Sequence, residues 1–159
     1  MGKRITVQRR GRGTSTYKAP SHRYLSKAKY RRYTSEEEGT ITGTVIDIVH
    51  DPGRSAPLCK IKYQDDKMGY LIAQESVMVG DILSFGNGAS VSPGNVLPIS
   101  NIPEGTPINN IELSQGDGGK IIRSSGSYGI LQTHDNGKSV IQLPSGKWTT
   151  IDSRHAKKR

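Results

Sequence analysis

From Thr40 onward no stretch of this chain keeps a helical period over three turns, and that constrains its fold more than any other feature. Short runs rich in Ile, Val, Leu and Thr alternate instead with Gly, Pro, Asn and Asp, the texture of an all-β chain with tight turns. Thr40 to Val49 carries Ile41, Val45, Ile46, Ile48 and Val49 in imperfect alternation and stops at Asp51-Pro52-Gly53, a strong turn signal. Leu58 to Tyr63 alternates apolar with basic residues, which predicts Cys59 on the core side and Lys60 and Lys62 on the other. Asp65-Asp66 turns the chain into Met68 to Ala73, and Val79-Gly80-Asp81 turns it again into Ile82 to Phe85. Residues 37–86 thus hold four or five short strands, enough for one small barrel. A second set falls in 108–153: Ile108 to Leu113, Lys120 to Arg123, Tyr128 to Thr133, Ser139 to Leu143 and Trp148 to Ile151. Asn136-Gly137 inside that set is the preferred two-residue hairpin turn, since both positions tolerate positive φ. Residues 87–107 are dense in turn formers, yet Val96, Leu97, Ile99 and Ile102 give them something to bury, so an ordered connector is expected.

Residues 1–36 differ in kind. Eleven Lys or Arg stand among Met1 to Tyr33 with no Asp or Glu: Lys3, Arg4, Arg9, Arg10, Arg12, Lys18, Arg23, Lys27, Lys29, Arg31 and Arg32. Apolar residues are too sparse there to pack, so a basic arm is expected that is disordered alone and orders on its target. Such a concentration of cations implies a polyanionic partner, because each phosphate neutralised releases condensed counterions. Glycines let the backbone approach phosphates, Arg forks grip their oxygens, and Tyr17, His22, Tyr24 and Tyr30 can stack on unpaired bases. Thr34 to Ser153, by contrast, holds fourteen acidic and eight basic residues, and the tail 154–159 adds Arg154, Lys157, Lys158 and Arg159 to reach the net charge of +9. Within the acidic body the phosphate-facing cations are predicted on loops: Arg54, projected outward from the Asp51 turn, with Lys120, Arg123 and Lys147. Gly116 to Lys120 is read as a backbone nest for a phosphate.

Catalytic and metal chemistry find little support. A single cysteine excludes an internal disulfide and a Cys-based zinc cluster, and the histidines at 22, 50, 134 and 155 lack ligand spacing, so no metal or cofactor is expected. Cys59 is expected inert in the core, and His50 to pack or hydrogen-bond rather than catalyse. The nearest approach to a phosphate-binding GxxxxGK[ST] loop, at Asn136 to Ser139, has Gln132 where the first Gly is required. Trp148 is expected in the core or at a barrel rim. With no run of eighteen apolar residues and no apolar stretch behind the charged start, the chain is expected to be soluble, with no membrane partner.

Several strings stand in order along the chain: RRGRG at Arg9 to Gly13, HDPGRSAPL at His50 to Leu58, GNVLPISNIPEGTPINNIE at Gly94 to Glu112, GDGGKIIRSSGSYG at Gly116 to Gly129, and LPSGKW at Leu143 to Trp148. Together they resemble the universal large-subunit ribosomal protein two family, in its archaeal and eukaryotic form, over nearly the whole chain. The resemblance implies an OB-type five-stranded barrel followed by an SH3-like barrel, both set into large-subunit ribosomal RNA. It also implies a non-enzymatic role in subunit association, transfer-RNA binding and the peptidyl transferase region. The location would be the cytoplasmic ribosome, with neighbouring ribosomal proteins as partners and no homo-oligomer. Asn95, within the third string, joins the RNA-binding set on this basis. After Ile151 the sequence reads DSRHAKKR, where the family continues with a closing strand and a basic extension. The second barrel is therefore expected to be incompletely closed, and roles tied to the extension are not carried over. The competing reading is a free single-stranded RNA-binding regulator. It needs an aromatic-lined sheet face, for which the first barrel offers only Tyr63, Tyr70 and Phe85.

Overall fold

β-Branched residues between tight turns pair locally, and the first such group forms a four-stranded antiparallel sheet. The computed structural model describes residues 2, 3, 5, 7–10, 21–31, 39–152 and 157–158. Strands β1 (Ile41–Val49), β2 (Leu58–Tyr63), β3 (Met68–Ile72) and β4 (Ile82–Phe85) lie in the order β3-β2-β1-β4. The imperfect alternation of β1 has a physical cause. Val45 pairs with Ile61 but Asp47 pairs with Lys60, so Ile46 is the extra residue of a bulge. One inserted residue flips the side-chain parity, leaving Ile46, Asp47 and Ile48 exposed beyond buried Val45. The first core gathers Val45, Cys59, Ile61, Tyr63, Leu71, Leu83, Phe85 and Val96, with the Tyr63 and Phe85 rings edge to face at 5.3 Å. Cys59 is buried there, on the side that its alternation with Lys60 and Lys62 predicts.

The connector feeds both cores. Val96 bridges Phe85 in parallel and joins the first core, while Leu97, Ile99 and Ile102 enter the second. Its short strand β5 (Leu97–Pro98) pairs with β10 (Lys157–Lys158). The second sheet runs β6-β7-β8-β9, from β6 (Pro107–Ile108), β7 (Gly129–Asp135), β8 (Lys138–Gln142) and β9 (Trp148–Asp152). The β7–β8 hairpin turns at Asn136 and Gly137 with φ of 44° and 76°, the left-handed pair that the Asn-Gly dipeptide predicts. Among the described residues β6 and β9 are the unjoined edges of this sheet. The chain is all-β, two small four-stranded antiparallel units in series, as expected of an OB-type and an SH3-like unit.

Two expectations fail here for stereochemical reasons. Ile108 to Leu113 and Lys120 to Arg123 are not full strands: Asn110 and Ile122 take positive φ, and only an isolated Ile111–Ile121 bridge joins the two segments. Positive φ breaks the extended backbone a ladder requires, a feature that apolar content does not reveal. Of the two places expected for Trp148, core or barrel rim, the core is excluded. Ile151 points inward on β9, so period two sends Trp148 to the other face, where it is 64% exposed.

The arm also departs from expectation. Residues 24–31 are docked on the body, with Ala28 and Tyr30 buried, Ala28 in a cluster with Ala56, Leu58 and Ile72 and Tyr30 in the first core. The disorder expected of residues 11–20 and 32–36 lies outside the described residues.

Candidate nucleic-acid interface

The root of the arm is held by a series of contacts that use residues the sequence assigned to RNA. Tyr24 lies over the β1–β2 turn, where a Cβ on Gly53 would come within 2.9 Å of its ring. The Leu25 N–H donates to Asp51 Oδ1 at 3.0 Å, and the Arg54 guanidinium donates to Asp51 Oδ2 at 2.6 Å and to the Ser26 carbonyl at 3.1 Å. Asp51 is fully buried. The Leu25 N–H, with Arg54 and the Gly53 N–H, holds its carboxyl below the usual 3.8 against the opposing effect of burial. Further along, Arg123 donates to the carbonyls of Ala28 at 3.0 Å and Gly119 at 3.1 Å. Tyr30 donates its hydroxyl proton to the Asn110 carbonyl, and Arg31 pairs with Asp65 at 2.7 Å over the Tyr63 ring. Residues 24–31 therefore touch both β units. Direct bonds between the units reinforce this seam, Gln74 to Asn109 at 2.9 Å and the Ser125 N–H to Ser55 at 3.2 Å.

Four residues thus stand differently from the sequence expectation. Arg54 is not projected outward, because the buried Asp51 carboxylate at the same turn captures it. Arg123 is half-buried and spans two protein carbonyls. Tyr30 is 8% exposed, so its ring is packed rather than offered to a base. Asn95 is buried, accepting from the Ser84 N–H at 2.8 Å and donating to the Ser90 carbonyl at 3.0 Å. A buried amide must satisfy both ends internally, and this one organises the connector. The glycine nest is also filled from within. Gly116 and Gly118 direct their N–H groups at the Glu112 carboxylate, at 3.2 and 2.8 Å, and Glu112 is 1% exposed. The anion in this loop is the protein's own.

Exposed side chains remain at Lys3, Arg10, His22, Arg23, Tyr24, Lys27, Lys29, Lys120 and Lys147. The structure describes only the backbone at Arg9, Lys157 and Lys158, and Arg4, Arg12, Tyr17, Lys18, Arg32, Arg154 and Arg159 lie outside the described residues. Lys27, Lys29 and Arg31 are brought together with Lys67 and Tyr70 around one groove on the first unit. Lys67 escaped the sequence reading because it sits in an ordinary turn, and Tyr70 entered it only as one aromatic of the competing reading; the docking of the arm beside β3 gives both their basic neighbours. Tyr63 and Phe85 face each other in the core, which removes two of the three aromatics that an open stacking face would need. Among the described residues no group of three or more His, Cys, Asp or Glu is placed to hold a metal ion.

Residues 2–84 match the family model for Ribosomal Proteins L2, RNA binding N-terminal domain, and residues 92–156 match Ribosomal Proteins L2, C-terminal domain. The boundary between them falls in the connector that feeds both cores. Large ribosomal subunit protein uL2 of Methanosphaera stadtmanae is 52% identical over 155 residues, covering 97% of this chain and 64% of that protein. The proteins of the same name from Methanothermobacter thermautotrophicus and Methanocaldococcus jannaschii are 54% and 50% identical, each over 96% of this chain and 64% of the relative. The chain thus spans 64% of the length of these curated relatives. Two successive family models span both β units and most of the basic arm, and the chain belongs to the ribosomal protein L2 family.

Proposed function

We propose that this chain is a structural, non-catalytic component of the large ribosomal subunit in the cytoplasm. It binds large-subunit ribosomal RNA beside neighbouring ribosomal proteins and supports subunit association and the peptidyl transferase region. The observation that carries this reading is the match of residues 2–84 to an RNA-binding domain whose basic segment here leaves an anchored root at residues 24–31. The root is fixed to an acidic body, so cations up to Arg23 meet RNA from a defined starting point. Exposed Lys120 and Lys147 add contacts from the second unit.

The test is filter binding of the chain to large-subunit ribosomal RNA across a salt series. Deleting residues 1–23, which removes seven Lys or Arg and spares the docked root, is expected to weaken binding and to flatten the slope of log K against log salt. At roughly 0.7–0.9 per neutralised phosphate, the slope falls by up to about five to six. An unchanged slope would show that residues 1–23 contact no phosphate.

A further inference from the structure

Residues 26–31 run beside β3, the edge strand of the first sheet, and leave a groove of about 260 Å³ between arm and strand. Lys27, Lys29 and Arg31 line it from the arm, and Lys67, Gly69 and Tyr70 from the barrel. Four cations therefore converge on one small space in a body that is otherwise acidic. Asp65, outside the lining, bonds Arg31 at 2.7 Å and Lys67 at 3.0 Å, which steadies both cations but supplies one negative charge against four positive ones. The surplus selects an anion.

Size and shape narrow the choice. The groove falls just below the about 300–1,000 Å³ of pockets for drug-sized ligands, which suits one ring with its attached phosphate. Tyr70 is half-buried, braced beside the cluster of Ala28, Ala56, Leu58 and Ile72, and so presents a fixed aromatic surface. Next to it Gly69 lacks the Cβ that would come within 2.7 Å of the Tyr63 ring, so Tyr63, which also lines the groove, packs directly on β3. Sequence-tolerant binding of unpaired nucleotides combines such an aromatic surface with a basic lining. We propose that this groove receives one unpaired nucleotide of the bound RNA, its phosphate among Lys27, Lys29 and Lys67 and its base against Tyr70. The proposal rests on the RNA-binding reading above and adds a site to it.

The full chain bound to large-subunit ribosomal RNA is irradiated with short-wave ultraviolet light, and the cross-linked peptides are mapped by mass spectrometry. In parallel, Lys67→Gln, Lys67→Arg, Tyr70→Leu and Tyr70→Phe are compared by filter binding across salt. A cross-link within residues 67–70 is expected. Lys67→Gln is expected to lower the salt slope by about 0.7–0.9, with Lys67→Arg restoring it. Tyr70→Leu is expected to bind about fivefold to a hundredfold more weakly, with Tyr70→Phe retaining affinity. The Lys67 side chain is 73% exposed, so Lys67→Gln folds normally and decides the matter even where Tyr70→Leu is unstable. Wild-type binding with an unchanged Lys67→Gln slope and no cross-link in this segment overturns the groove and leaves the RNA-binding reading standing. Failure of the wild-type chain to bind the RNA overturns both. Lys67-dependent binding of an oligoglutamate peptide, with RNA binding unaffected by the variants, reassigns the groove to an acidic protein segment and overturns the proposal.

Discussion

Replacing Tyr30 separates an arm residue that belongs to the fold from one that serves RNA. Its ring is 8% exposed in the first core, and its hydroxyl donates to the Asn110 carbonyl in the second unit. Tyr30→Phe keeps the ring and deletes the donor, leaving a buried carbonyl without it, at a cost of about 1–3 kcal/mol. Tyr30→Ala also removes the ring. At about 25 cal/mol per Å² over the about 150–250 Å² an aromatic buries, the loss is about 4–6 kcal/mol, an upper bound because unfolded chains already bury some surface. Measured aromatic truncations point to about 3–5 kcal/mol. Against a typical stability of about 5–15 kcal/mol, that is a large fraction of what holds the chain folded. Urea unfolding followed by far-ultraviolet circular dichroism is the assay, since Trp148 is 64% exposed and reports poorly on the core. With m of about 2 kcal/mol per molar, Tyr30→Phe is expected to lower the midpoint by about 0.5–1.5 M, and Tyr30→Ala by more. If Tyr30→Ala unfolds at the wild-type midpoint and only RNA affinity falls, Tyr30 is a stacking residue and the docked root is wrong.

The Asp51 anchor carries a pH signature. Its folded pKa lies below 3.8, chiefly through the Leu25 N–H, so its contribution is present above 3.8 and lost as pH falls through the lower folded value. The stability difference between wild type and Asp51→Asn, measured by urea unfolding, is therefore expected to be constant above that range and to shrink below it; a difference independent of pH would contradict the anchor. Gly119→Ala tests the glycine loop of the second unit. Gly119 has φ of +81°, and a Cβ there would collide with the Asn110 carboxamide, so the strain of roughly 1–2 kcal/mol for a left-handed residue and the clash act together. A thermal midpoint equal to that of the wild type would show that this segment is not close-packed.

Much of the fold was legible because local chemistry decides it. Leu58 to Tyr63 and Ile82 to Phe85 emerge as strands with the bounds their apolar runs suggest, and Asn136-Gly137 makes the hairpin its φ preferences dictate. The basic arm against an acidic body likewise named a polyanion from charge alone, since charge adds along a chain without regard to its folding. The assignment of individual cations was not legible. Whether an arginine faces RNA or a protein carbonyl depends on which oxygen lies within reach, and those oxygens come from distant parts of the chain: Ser26 for Arg54, Ala28 for Arg123. The same holds for the glycine loop, whose amides bind Glu112, and for Tyr30, whose partner is eighty residues away. Composition and turn chemistry determined that this chain is two β units bearing a cationic arm. Tertiary packing alone decided that the arm's last eight described residues belong to the body, because burial and hydrogen-bond partnership are properties of a neighbourhood in space, not of a position in sequence.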